Sequence, residues 1–313
     1  MSEYIRINGF DIGIGEQREL SFRIARLPTH TNIDLPVYVN RGHEDGPTLL
    51  ITAGLHGDEL NGIEIARRLM ADNLAVPQKG TTIVVPIVNI YGFLQNSRAL
   101  PDGKDLNRSF PGNKTGSLAR RVAYTLVNEI LPHADYGLDF HTGGSSRTNY
   151  PQIRCVLSNP LNKELAEAFA PPFIINSGLI ESSYRKAADR RGKSVIVYEA
   201  GESMRFDEVA IEEGIAGAQR LMKHLGMIDK APKPNPTIIL KKSRWLRARY
   251  AGIFHSKVES GDKIKKRQIL GTITDPFGES EYKIKATTDG FVIGLTYMPV
   301  INAGDALIHI AEE

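Results

Sequence analysis

Short apolar runs rich in β-branched residues alternate with helix-periodic segments over the first two-thirds of the chain. That alternation restricts the fold to a layered α/β arrangement. Residues 48–53 (TLLITA) have the pattern of a strand buried on both faces. Residues 59–74 follow with Ile63, Ile65, Ala66, Leu69 and Met70 at helical spacing. Residues 81–88 (TTIVVPIV) predict a second buried strand. Pro86 belongs near an end or a bulge, because proline cannot donate to a sheet ladder. Further strands are predicted at 136–140, 154–157, 173–176 and 194–198, and helices over 117–131, 162–169, 183–191 and 207–224. Ser117 or Thr115 is placed to cap the first of these helices. The implied sheet is mainly parallel, and ligands of such sheets gather at strand carboxyl ends.

The pattern changes after Met227. Residues 228–236 (IDKAPKPNP) hold three prolines among polar residues and predict a linker. Beyond it come only short β-rich runs, at 237–240, 252–255, 269–273, 282–286, 290–295 and 306–310. A Gly-Asp turn followed by a strand occurs twice, at Gly261-Asp262 and at Gly304-Asp305, as in a small barrel of two similar halves. A length of 313 residues accommodates two domains. The expected units are an α/β domain over residues 1–230 and a β domain over 237–313.

Charge and cysteine content narrow the chemistry. Lys and Arg number 39 against 36 Asp and Glu, so the overall basic excess of a nucleic-acid binder is missing. The one cysteine, Cys155, excludes an internal disulfide framework and a Cys-rich zinc site, so any metal must be held by His, Asp or Glu. The opening MSEYIRINGF has no basic stretch followed by an apolar core, and the most apolar run, residues 82–94, is too short to span a bilayer. The expectation is a soluble, cytoplasmic protein without membrane partners, which fits a lone free thiol.

The chemistry-bearing residues sit at the ends of the predicted strands. His56 and Glu59, in Gly-Leu-His-Gly-Asp-Glu, follow the first strand and put an imidazole and a carboxylate on one side of a tight turn. Both are zinc ligands by type. The same fragment also reads as a capping turn with Asp58 as cap and His56 solvated. His141, in Asp139-Phe-His-Thr-Gly, closes another strand and would complete a set of two histidines and one carboxylate, leaving a position for water as catalytic zinc sites do. Asp139 reads either as a partner holding that histidine or as a strand-end polar residue. His30, His43, His133 and His224 lie in polar or helical surroundings, and His255 and His309 belong to the β-rich region, away from these strands. Asn107 and Arg108 stand side by side in a loop, a pair suited to orienting a carboxylate. Arg98, upstream, could stabilise an oxyanion, and Glu199 ends the strand at 194–198, placed to act as base and then acid. Each of these has an ordinary reading as a surface charge or loop hydrogen bond. Their joint occurrence at successive strand ends favours the functional one.

Four segments, HGDE (56–59), DLNRSFPG (105–112), DFHTG (139–143) and YEAGE (198–202), resemble the signatures of the succinylglutamate desuccinylase and aspartoacylase family. The likeness runs in matching order over about residues 45–227. It implies a mixed, mainly parallel sheet flanked by helices, as in zinc carboxypeptidases. It implies one Zn2+ per chain held by His56, Glu59 and His141, a substrate carboxylate held by Asn107 and Arg108, a carbonyl polarised by Arg98, and Glu199 as the catalytic glutamate. The implied reaction is hydrolysis of the amide of a small anionic N-acyl amino acid. The alternatives are a zinc carboxypeptidase acting on short peptides, or a protein that binds metal or ligand without catalysis. A further carboxylate would find partners among Arg147, Arg154, Arg185, Arg190 and Arg191. The carboxyl-terminal region resembles the barrel-sandwich shape of biotinyl and lipoyl carriers. Lys283 and Lys285 lack the flanking Met of a carrier lysine, so shape alone is expected to be shared. The domain is expected to narrow the mouth of the site or to serve assembly into a homo-oligomer.

Overall fold

A computed structural model describes residues 3–26, 28–144, 146–234 and 236–313. Asn235 of the expected linker and Met1 and Ser2 of the amino-terminal segment lie outside it. The first half of the chain runs β1 (Tyr4–Ile7), β2 (Phe10–Gly13), β3 (Gln17–Arg26), β4 (Asn32–Arg41), β5 (Glu44–Ala53), α1 (Leu60–Ala71), β6 (Lys79–Val85), α2 (Ile90–Leu94) and α3 (Leu118–Thr125). It continues with β7 (Tyr136–Gly143), β8 (Arg147–Cys155), α4 (Pro160–Phe169), β9 (Phe173–Asn176), α5 (Tyr184–Asp189), β10 (Ser194–Glu202) and α6 (Glu208–His224). The last part holds β11 (Ile238–Leu240), β12 (Lys242–Arg247), β13 (Gly252–Ser256), β14 (Lys263–Ile264), β15 (Ile269–Thr274), β16 (Glu281–Lys285), β17 (Gly290–Thr296), β18 (Val300–Ile301) and β19 (Ala306–Glu312).

The expected α/β layering is present. Strands β10, β7, β5 and β6 lie side by side and parallel, each adjacent pair in register. They form the centre of a mixed sheet that β4 and β3 extend antiparallel on one side and β8 on the other. Alternation along each strand sends one set of side chains to each face. Ile51, Leu138, Phe140 and Tyr198 pack with Ile65 and Leu69 of α1, Leu165 of α4 and Leu221 of α6. On the opposite face Leu50, Val85 and Val195 pack with Val122 of α3 and Ala187 of α5. Side-chain caps start α4 (Asn159), α5 (Ser183) and α6 (Asp207).

Three sequence expectations change. The helix expected over 117–131 breaks into α3, a π-turn over Leu126–Ile130 and a 3₁₀ turn over Leu131–His133. Pro132 lacks the N–H that would continue the ladder. Ser117 stands at the cap position of α3 without capping it through its side chain. Strand β8 begins seven residues earlier than the run at 154 suggested, because Arg147 to Tyr150 are too polar to read as a buried strand.

The carboxyl-terminal strands are continuous with the central sheet. The second half of β8 pairs with β9, while its first half pairs with β17, in the register Gly294↔Asn149 and Leu295↔Thr148. β17 leads to β19 and β12. A separate four-stranded sheet, β16-β15-β13-β18, closes over a small core of Phe254, Leu270, Ile273, Val292, Leu307 and Ile308. Lys283 and Lys285 lie within β16, paired to β15, and not at a hairpin tip.

His309 of β19 stacks on Trp245 of β12, with centroids 4.6 Å apart, and is buried. Burial first, and the Arg154 charge second, push its pKa from 6.5 down to about 3. This imidazole is neutral when folded and protonated when unfolded, so stability drops as pH falls below about 6.5 and keeps dropping toward about 3. His309→Gln is expected to remove about 2 kcal/mol of the destabilisation the native chain suffers between about pH 6.5 and pH 5. Urea unfolding at both pH values checks this; identical pH slopes for the two proteins would contradict it.

Candidate active site

The carboxyl ends of β5, β7 and β10 open into one cavity of about 390 Å³. After β5 the chain turns sharply, and Gly57 rests against α2. A Cβ on Gly57 would lie 1.9 Å from the Gly92 carbonyl carbon and 2.1 Å from the Phe93 nitrogen, so no larger residue fits. The turn brings Glu59 to the cap position of α1, but its carboxylate makes no cap hydrogen bond. It points instead between two imidazoles. Glu59 Oε1 is 2.7 Å from His56 Nδ1, and Oε2 is 2.8 Å from His141 Nδ1. All three residues are buried, and one ligand atom from each lies within 4.8 Å of the others. The alternative in which Asp58 caps the helix and His56 is solvated does not hold.

The outer nitrogens of both rings are also held. His141 Nε2 is 2.8 Å from Asp139 Oδ2, and Asp139 Oδ1 accepts from the Thr52 hydroxyl at 2.6 Å. His56 Nε2 is 3.2 Å from Asp105 Oδ1. A carboxylate on the distal nitrogen fixes the tautomer and ring orientation of a metal-binding histidine. Two Nδ1 atoms and a carboxylate oxygen converging in a buried site, each ring braced this way, fit a metal ion.

The same contacts set the electrostatics of the group. Burial alone would raise the Glu59 pKa, but His56 and His141 hold it well below the usual carboxylate range. Burial would lower His141, yet Asp139 and Glu59 hold it well above the ordinary imidazole value. His56 is raised too, Glu59 and Asp105 outweighing its burial.

Asp105 ties the loop with Asn107 and Arg108 to this group. Its Oδ1 caps the 3₁₀ turn Leu106–Arg108 by accepting from Asn107 N at 2.8 Å, and its Oδ2 accepts from Arg98 Nη2 at 3.1 Å. Arg98 Nη1 also donates to Glu59 Oε1 at 3.1 Å, so this arginine borders the His-Glu-His group. Asn107 Oδ1 accepts from the Tyr184 N–H at 2.9 Å, which leaves the Asn107 amide as a donor. Asn107 and Arg108 both line the cavity.

Glu199 lies directly beside His141, its register partner on the neighbouring parallel strand. Asn149 Nδ2 donates to Glu199 Oε2 at 2.6 Å, and Arg154 Nη1 is 3.4 Å from Oε1. All seven residues expected at the site line this cavity. Of the five further arginines, Arg147, Arg154 and Arg185 line it as well. Arg190 pairs with Glu181 and Arg191 with Asn128, outside it.

Four contributors were not anticipated. Asp105 opens the DLNRSFPG segment without an expected role of its own, although an aspartate two residues before Asn107 is well placed to cap a turn. Asn149 sits in a stretch with no motif. Trp245 reaches the cavity wall from β12 with the Arg147 guanidinium 5.3 Å from its ring centre, and His309 stacks on it, nearer than its place in the sequence implied.

The sequence profile of the succinylglutamate desuccinylase/aspartoacylase catalytic domain matches residues 45–225, more than half of the chain, a span that includes His56, Glu59, His141 and Glu199. The chain belongs to that family. Among its relatives, the N-alpha-acetyl-L-2,4-diaminobutyric acid deacetylase of Halomonas elongata is 29 % identical over 291 residues, spanning 88 % of this chain and 84 % of that protein. The succinylglutamate desuccinylase/aspartoacylase structure from Rhodobacter sphaeroides superposes with a TM-score of 0.84 at 25 % identity, covering 95 % of this chain and 96 % of that one. The product-bound ectoine utilization protein EutE (DoeB) from Ruegeria pomeroyi gives 0.84 at 23 % identity, with 95 % of each chain covered. Among the described residues, no helix of this family member is long and apolar enough to cross a membrane.

The Gly57 contact yields a test. Gly57→Ala must push α2 and the His56 turn apart, and is expected to cost about 1–3 kcal/mol of stability or more. Urea unfolding reads the cost. An alanine variant as stable as the native protein would contradict the close packing.

Proposed function

We propose that this protein is a zinc-dependent hydrolase that cleaves the amide bond of a small N-acyl amino acid. The observation that carries the reading is convergence: His56, Glu59 and His141, the carboxylate of Glu199 and the donors of Asn107, Arg108 and Arg98 all face one small cavity. Two histidines and a glutamate form a catalytic zinc set, with a position left for water. Zinc bound there would supply the Lewis acidity that activates water and polarises a carbonyl. Glu199 takes the proton of the attacking water and delivers it to the departing amine. Arg108 and the Asn107 amide hold the substrate carboxylate and so fix which carbonyl is attacked. Arg98 donates to the oxygen on which negative charge develops.

Two further points support an acyl amino acid over a peptide. The cavity is small and the Trp245 ring walls it, and the Halomonas relative carries the name of a deacetylase. We also read residues 237–313 as a β domain of barrel-sandwich shape whose contribution is this wall. Carrier function has no support, because neither Lys283 nor Lys285 is presented at a tip.

Glu199→Gln should retain zinc while turnover falls by about 10²- to 10⁴-fold. Zinc content by atomic absorption, together with assays on acetylated and succinylated amino acids and on short peptides, checks this. Near-normal turnover of that variant, or a clear preference for peptides, would overturn the reading. Asp139→Asn is expected to lower zinc affinity about 10- to 100-fold, measured by chelator competition. Unchanged affinity would mean that Asp139 does not orient His141.

A further inference from the structure

Glu199 is gripped by one neighbouring strand. β8 runs antiparallel to β10 with Gly201↔Asn149 and Val197↔Arg154 in register, so Asn149 and Arg154 flank Glu199 on either side. Asn149 Nδ2 donates to Oε2 at 2.6 Å, a short charge-assisted hydrogen bond. Arg154 Nη1 stands 3.4 Å from Oε1, close enough for ion pairing but long for a hydrogen bond. The two oxygens are therefore unequal. Oε2 is tied down, while Oε1 keeps its lone pairs for a proton in transit.

The amide that ties Oε2 is itself pressed into place from the carboxyl-terminal region. Asn149 is buried and lies opposite Gly294 of β17. A Cβ on Gly294 would stand 2.8 Å from Asn149 Oδ1 and 2.7 Å from the Thr148 carbonyl oxygen. Only a residue without a side chain lets β17 approach so near. From this geometry we infer that Asn149 is a positioning residue that fixes the Glu199 carboxylate, and that the close pairing of Gly294 holds Asn149 in place. The carboxyl-terminal strand thereby acts on the chemistry through one amide. The inference rests on the proposed role of Glu199.

Asn149→Asp keeps the size of the side chain but replaces the donor with a second carboxylate facing Glu199. Turnover of the best-cleaved probe among Nα-acetyl-L-2,4-diaminobutyrate, N-acetyl-L-aspartate and N-succinyl-L-glutamate should drop on the order of 10²-fold, with KM within about threefold. Zinc content should stay at one per chain. In a Glu199→Gln background the same substitution should have little further effect, because its route runs through Glu199. Equal losses in both backgrounds, or a loss confined to KM, would overturn the inference. Crystal structures of Asn149→Ala and Gly294→Ala supply a readout independent of activity. The Glu199 carboxylate should leave its present position in both, and an unmoved carboxylate would refute the inference. If Glu199→Gln alone is nearly as active as the native enzyme, the base assignment fails instead, and the crystallographic arm still decides whether Asn149 positions that carboxylate.

Discussion

The site is built around one buried carboxylate. Removing the charge of Glu59 from water is costly unless partners replace its hydration. Here His56, His141, the Thr142 N–H and Arg98 all contact it. Each partner needs its own support, which brings in Asp105 behind His56 and Asp139 behind His141. Thr52 braces Asp139 in turn. A nested set of charges and donors results, in which each removal leaves another buried group unpaired. Such a network keeps its shape only when the elements beneath it are rigid.

That rigidity comes from the parallel register of β5, β7 and β10. Thr52 pairs with Asp139, and Glu199 with His141, along the sheet. The opposite faces of the same strands are filled by Ile51, Leu138, Phe140 and Tyr198 packed under α1, α4 and α6. A slip of one residue would exchange the two sets, sending charges into the apolar layer. The apolar packing on one face is thus what sets the polar geometry on the other.

Much of this was legible in the sequence, for identifiable reasons. The buried parallel strands are short, apolar and β-branched, and their ends carry the His-Glu turn, His141 and Glu199, so the α/β layering and the residues that meet in the cavity could be read locally. The amino-terminal strands β1 to β4 drew no expectation, because alternation of exposed and buried residues in β3 is spread over a polar, charged segment. The polar start of β8 was hidden for the same reason, and with it Asn149. Which arginines face the cavity could not be read from spacing at all. Arg185 and Arg190 both belong to the same helical stretch, yet only Arg185 turns inward, where it donates to carbonyls of Arg154, Ser177 and Gly178. Trp245 lies far from every motif in sequence and reaches the cavity only because β8 accepts β17, β19 and β12 on its free edge.

The position of Trp245 has an optical consequence. It is the chain's one tryptophan. Its indole meets both the Arg147 guanidinium and the His309 ring, on the wall of the cavity. All indole emission of the protein therefore originates within reach of whatever enters the site. The fold carries an intrinsic, label-free fluorophore at the seam between its central sheet and its carboxyl-terminal strands, placed to report occupancy of the cavity and seating of those strands.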